Sequence, residues 1–158
     1  MKKRIKKIAE IITEDSFPLL RGKRILWFIF YLRFFAFSAW IPPFIRFIVV
    51  STRAKELDDF VLTGILAHEL CHQERYIKMG LIRYLRFVTA YTFSVNARTS
   101  EERATDMLTI EKGYARQLYE LTIITRNDRK HSKIIDNYLT PEEIRSYAES
   151  IGNWKIMS

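Results

Sequence analysis

Two of the chain's three histidines stand four residues apart, in the run His68-Glu69-Leu70-Cys71-His72. The pattern is H-E-x-x-H. On a helix, residues at i and i+4 leave from one face, so two imidazoles at this spacing can bind one metal ion together. Glu69 directly follows the first histidine. From there its carboxylate reaches a water beside the metal rather than the metal itself, and can take that water's proton. Chance gives roughly 0.004 such patterns in a chain of this composition. Catalytic zinc sites normally use three protein ligands and leave one position to water. A third ligand to a single Zn2+ must therefore come from elsewhere in the chain. Cys71, the only cysteine, can form neither an internal disulfide nor a cysteine-based zinc module, and is expected in the core.

The third ligand is not supplied by the long metzincin pattern, which needs Gly three and His six residues after the second histidine; Arg75 and Lys78 stand there. The alternative is a glutamate on a second helix. Glu102 and Asp106 are spaced i and i+4 and share a helical face. Glu102 could ligate the metal, while Asp106 could accept the second N–H of a ligand histidine and orient the ring. Thr99-x-x-Glu102 also reads as a capping box with Thr99 or Ser100 at the N-cap, which would give Glu102 a purely structural task.

HELCH followed by SEERATD resembles the gluzincin branch of the zinc metallopeptidases, in particular its minimal single-domain members. Gly80, eight residues after His72, fits the same likeness. The stretch EERATDMLTIEKGY is similar to the glutamate region of membrane-linked peptidases of the CAAX-processing type, with Thr105 where those usually carry Ala. The likeness covers about residues 44–120. It implies a zinc-dependent metallopeptidase with His68, His72 and Glu102 on the metal, Glu69 as general base and Asp106 behind a ligand histidine. It also implies an edge strand above the cleft that pairs with an extended peptide substrate. Such sites usually add a Tyr, His or Arg to stabilise the oxyanion; Tyr91, Arg98, Tyr114 and His131 are the candidates. The competing reading is a catalytically silent zinc-binding or membrane-surface module. The intact Glu69 argues against it, because a pure binding site has no use for a base there.

Several elements must position these groups. Asp58 or Asp59 is a plausible N-cap for a helix to about Met79 that Gly80 stops. The β-branched and aromatic run Phe44–Ser51 predicts a strand before it. After Gly80, residues 81–95 suit a helix with Leu81, Tyr84, Leu85 and Val88 toward the core. The glutamate helix is expected to run through Tyr114 to about Glu120. Thr140-Pro141-Glu142-Glu143 marks another helix start, ending at Ser150. The fold class is α+β, mostly helical, with a small sheet.

The N-terminal third reads differently. Lys2–Thr13 predicts a basic amphipathic helix whose Ile5, Ile8 and Ile12 either meet a membrane surface or dock on the domain. Residues 25–41 form the most apolar run, interrupted only by Arg33 and Ser38. It is read as a buried helix, an interfacial hairpin ending at Pro42-Pro43, or a membrane span. The organisation expected is therefore residues 1–43 as a membrane-contacting segment and 44–158 as the minimal zincin-like domain. A span would keep the basic N-terminus cytoplasmic.

The chain's 158 residues suffice for one domain, and 48% hydrophobic content excludes a disordered or collagen-like chain. The net charge of +8 is concentrated early: residues 1–50 hold ten Lys or Arg against three acids. No RNP, zinc-finger or helix-turn-helix pattern accompanies it, so nucleic acid is not an expected partner. Peptide or protein substrate and a membrane surface are.

Overall fold

The structure is a computed structural model, and it describes residues 1–127 and 135–154. It is mostly helical with one three-stranded sheet. The amphipathic helix α1 (Lys2–Ser16) lays Ile5, Ala9 and Ile12 into the core and turns its lysines outward. Its apolar face is thus docked on the domain. The strands β1 (Ile25–Phe30), β2 (Ala36–Ile41) and β3 (Ile45–Ser51) follow. Next come α2 (Asp59–Phe93), α3 (Val95–Thr109), a π-helical turn (Ile110–Tyr114), α4 (Ala115–Asn127) and α5 (Pro141–Ser150).

The apolar run 25–41 is neither a helix nor a hairpin. It is two strands parted by residues 31–35, with β3 lying between them in the order β1-β3-β2. β1 runs parallel to β3 and β2 antiparallel to it. An apolar run without alternation cannot be told from a buried helix by period alone; the enrichment in Ile, Phe and Trp was the informative signal. Among the described residues no helix is long and apolar enough to cross a membrane.

β3 is the strand expected over 44–51, but it is central rather than at an edge. Ile48, Val49, Val50 and Ser51 are all buried, as suits a strand flanked by partner strands at both edges. The edge strand beside α2 is β2. One glutamine secures that placement: Gln73 of α2 donates from Nε2 to Ser38 Oγ (2.8 Å), to the Ala39 carbonyl (2.9 Å) and to the Phe47 carbonyl (3.2 Å). Residues 1–43 therefore supply one helix and two strands to a core they share with α2. Phe17, Ile5, Leu20, Ile48, Leu62, Leu66 and Leu70 are its largest fully buried members.

α2 starts where the sequence suggests, with the Asp58 side chain accepting from Val61 N–H at 2.8 Å. Gly80 interrupts it with φ 69° and ψ 176°, a region open to glycine alone, and helix resumes to Phe93. Near its start α2 meets α4 closely. A Cβ on Gly64 would stand 2.7 Å from the Gln117 carbonyl oxygen, a backbone atom that cannot swing aside. Gly64→Ala gains about 0.5–1 kcal/mol of helix propensity but costs about 1–3 kcal/mol of overpacking. Chemical denaturation is expected to show net destabilisation; a more stable variant would mean that α2 and α4 do not approach this closely.

Candidate metal centre

His68 and His72 sit on the face of α2 that α3 covers. From α3, Glu102 points between them: its Oε2 lies 3.2 Å from His68 Nε2 and 3.3 Å from His72 Nε2. The two rings meet edge to face with centroids 4.8 Å apart. One ligand atom from each of the three residues falls within 4.8 Å of the others, and all three side chains are buried. Two imidazole nitrogens and a carboxylate oxygen are a donor set that suits zinc.

The outer nitrogens are held as well. His68 Nδ1 lies 2.9 Å from Asp106 Oδ1, while Asp106 Oδ2 accepts the Leu139 N–H at 3.0 Å. His72 Nδ1 lies 3.3 Å from Thr105 Oγ1 and 3.5 Å from Glu101 Oε1. Arg75 grips Glu101 through two hydrogen bonds of 2.8 and 2.7 Å. Each imidazole thus turns one nitrogen inward and has the other backed by α3, which fixes the rings before any cation arrives.

Glu69 stands apart from this pairing. Its carboxyl is buried, and Oε2 has no hydrogen-bond partner among the described residues. Burial pushes it up to about 7 against the pull of His72 and His68. The ligand side chains behave oppositely. Burial alone would lower the histidines, but Asp106 and Glu102 hold His68 well above its ordinary value. Burial is likewise outweighed at His72, which Glu102 and Glu101 raise to about 9. Burial opposes ionisation of Glu102 too, yet the two imidazoles hold its carboxyl well below the usual range. The Glu102 carboxylate thus favours positive charge on the two imidazoles that face it.

The other sequence candidates separate. Tyr91 reaches the centre and donates its hydroxyl to Glu102 Oε1. Arg98 lines the same cleft while donating to the Tyr91 and Thr92 carbonyls, both at 3.0 Å. Tyr114 is engaged elsewhere, 2.9 Å from Ser16 Oγ at the end of α1. Cys71 is fully buried in the core, with its thiol pushed up to about 12 by burial. His131 lies outside the described residues. Thr99 is not an N-cap. α3 begins four residues earlier, capped by Ser94, whose Oγ accepts from Ala97 N–H at 3.2 Å. Thr99 donates to the Val95 and Asn137 oxygens instead, so no capping box competes for Glu102. The helix expected to continue to Glu120 breaks at Gly113 (φ 93°) in the π-helical turn, and α4 runs on to Asn127.

Three contributors were not legible from spacing. Tyr138 packs its ring 5.8 Å from that of His68 and lines the cleft. Glu101 and Thr105 hold His72, and only the i, i+4 relation between them hinted at a shared face. A second, mostly apolar cavity opens beside His68 and Glu69, walled by Phe35, Ile65, Leu118 and Leu121. Comparisons with protein-family models, with curated proteins and with solved structures found no match to this chain.

The charges at this centre predict a pH dependence. The unfolded histidine titrates near 6.5 and His72 in the fold at about 9. The stabilisation from its carboxylate partners is fully present below 6.5 and is lost as the pH rises through about 9. Metal-free protein should therefore melt at lower temperature as the pH is raised from neutral to about 9. Zinc affinity should rise over the same span, because the cation has fewer protons to displace. Calorimetry in buffers of different ionisation enthalpy checks this; zinc binding without proton release at neutral pH would contradict it.

Proposed function

We propose that this chain is a zinc-dependent metallopeptidase of the gluzincin type with a minimal zincin-like fold. The observation that carries the reading is the convergence of His68, His72 and Glu102, with the buried Glu69 beside them, whose Oε2 has no hydrogen-bond partner among the described residues. One Zn2+ per chain would be held by those three side chains, and Asp106 would orient His68. When bound, zinc polarises a carbonyl and acidifies water to near neutrality.

The chain's own residues account for the remaining steps. Glu69 takes the proton of the attacking water and delivers it to the leaving amine. Burial raises this carboxyl above the ordinary carboxylate range, which favours its holding a proton in transit. Substrate enters as an extended strand along β2. Ala36, Phe37 and Ser38 line the cleft that also contains His68, Glu69 and Glu102. Pairing with that edge is β-augmentation. It belongs to β2 rather than to β3, whose two edges are already occupied. Tyr91, Arg98 and Tyr138 are the donors near enough to steady a developing oxyanion. The apolar cavity beside His68 and Glu69 suits a bulky apolar side chain next to the scissile bond.

The test pairs zinc content with hydrolysis of a quenched-peptide library. Wild type and Glu69→Gln are expected to hold about one zinc per chain, with turnover at least about a hundredfold lower in the variant. Glu102→Ala is expected to lose both zinc and turnover. Loss of zinc from Glu69→Gln would remove Glu69 from the role of base. Absence of zinc from carefully handled wild type would remove the enzyme reading altogether.

A further inference from the structure

Among the described residues two apolar surfaces remain uncovered, on neighbouring elements. The first is the outer face of the sheet. Strand alternation sends Trp27, Ile29, Ile48 and Val50 inward to the core. The register Phe28↔Val49↔Phe37 then puts the other residues on the opposite face. Phe28, Phe30, Phe37, Ile41 and Ile45 are exposed there, around Phe47, whose ring meets those of Phe28 and Phe37 at 6.2 and 6.0 Å.

The second surface is the helical arm after Gly80. It touches the body through Tyr84, Phe87 and Tyr91, which stack in sequence from Tyr76. Its other side projects Leu81, Ile82, Leu85 and Phe93; Ile82 is 70% and Phe93 84% exposed. The core-facing role expected for Leu81, Leu85 and Val88 falls to these aromatics instead. Arg83 and Arg86 are exposed along the flank of the apolar stripe. The strand and the arm that carry these surfaces are joined through their inner sides, where Trp40 of β2 packs on Tyr84, centroids 4.8 Å apart, with the Trp40 N–H donating to the Tyr84 hydroxyl.

Charge narrows the choice of partner. Residues 16–55 carry seven cations and no acid, and residues 75–100 carry five cations and no acid; all eighteen acids lie elsewhere in the chain. Arg21, Arg75 and Lys78 are paired within the chain with Glu14, Glu101 and Glu74, but a second copy would still bring the exposed Arg83 and Arg86 to a surface whose own segments hold no acid. A bilayer bearing anionic headgroups supplies what is missing: phosphates for the guanidinium groups and an acyl boundary for exposed Phe, Ile and Leu. Arginines beside an apolar stripe can bury their stems and keep their heads among phosphates.

We propose that the outer face of the sheet and the arm of residues 81–93 form one docking surface for an anionic lipid bilayer. α1 contributes positive charge but no apolar face, since Ile5, Ala9 and Ile12 are buried. The docked orientation brings the cleft to the lipid surface, because Phe37 of β2 and Tyr91 of the arm both line it. This inference does not depend on metal or turnover at the candidate centre.

The test is co-sedimentation of the full chain with vesicles of phosphatidylcholine and phosphatidylglycerol in a three-to-one ratio, beside vesicles of phosphatidylcholine alone. Three variants are compared: Ile82→Ser with Phe93→Ser, Phe28→Ser with Phe30→Ser, and Arg83→Glu with Arg86→Glu. All six positions are exposed, and circular dichroism verifies the fold. Wild type is expected to sediment with the anionic vesicles, less so as salt is raised, and each variant to bind about tenfold or more weakly. Failure of wild type to bind, or unchanged binding in either serine pair, overturns the proposal. A lipid-free dimer in light scattering that the serine pairs dissolve would assign the surface to a second copy and overturn it equally.

Discussion

Placing two imidazoles and three carboxylates in one buried layer between α2 and α3 is the constraint on which the rest of the structure depends. Charges removed from water are costly unless they face partners of opposite sign with good geometry. Here Glu102 is shared by His68 and His72, Asp106 backs His68, and Glu101 is itself held by Arg75. Removing any single partner leaves the others buried and unmatched. The packing of α3 on α2 is therefore a precise electrostatic fit rather than a greasy contact. The turn at Ser94 that reverses the chain sets its register. Glu69 lies outside the compensated set: its Oε2 is buried without a hydrogen-bond partner among the described residues.

The sheet bears on that layer through α2. Gln73 lies one residue after His72 and fastens to the backbone of both β2 and β3, so the helix that carries the histidines is keyed to the strands that wall the cleft. On the far side, Glu74 pairs with Lys112 at 2.8 Å, and Lys112 also donates to the Ser16 carbonyl at the end of α1. Three consecutive residues of one helix, His72, Gln73 and Glu74, thus face the candidate metal centre, the sheet and the helical support. Few substitutions in 68–74 can be local in effect.

The helices were legible where their signals are local. Asp58 capping α2, the capping box at Thr140 and the isoleucine stripe of α1 are each settled within one or two turns, and the fold uses all three. The strands were less so. Residues 25–41 are apolar throughout, and only pairing with β3 decides that they extend rather than coil. The start of α3 was misplaced for a related reason: Ser94 and Thr99 are both competent caps, and packing against α2 selects between them.

By itself the sequence determined which side chains could share a helical face. The i, i+4 histidines, the intervening glutamate and the i, i+4 pair Glu102 and Asp106 are facts of helical periodicity, true before the chain is folded. Tertiary structure decided what periodicity cannot reach across space. It brought Glu102 from thirty residues away to the two histidines and set Asp106 and Glu101 behind them. It added Tyr138 from a distant loop and made β2 rather than β3 the free edge at the cleft. Those outcomes depend on which surfaces bury one another, and burial is a property of the whole chain rather than of any window within it.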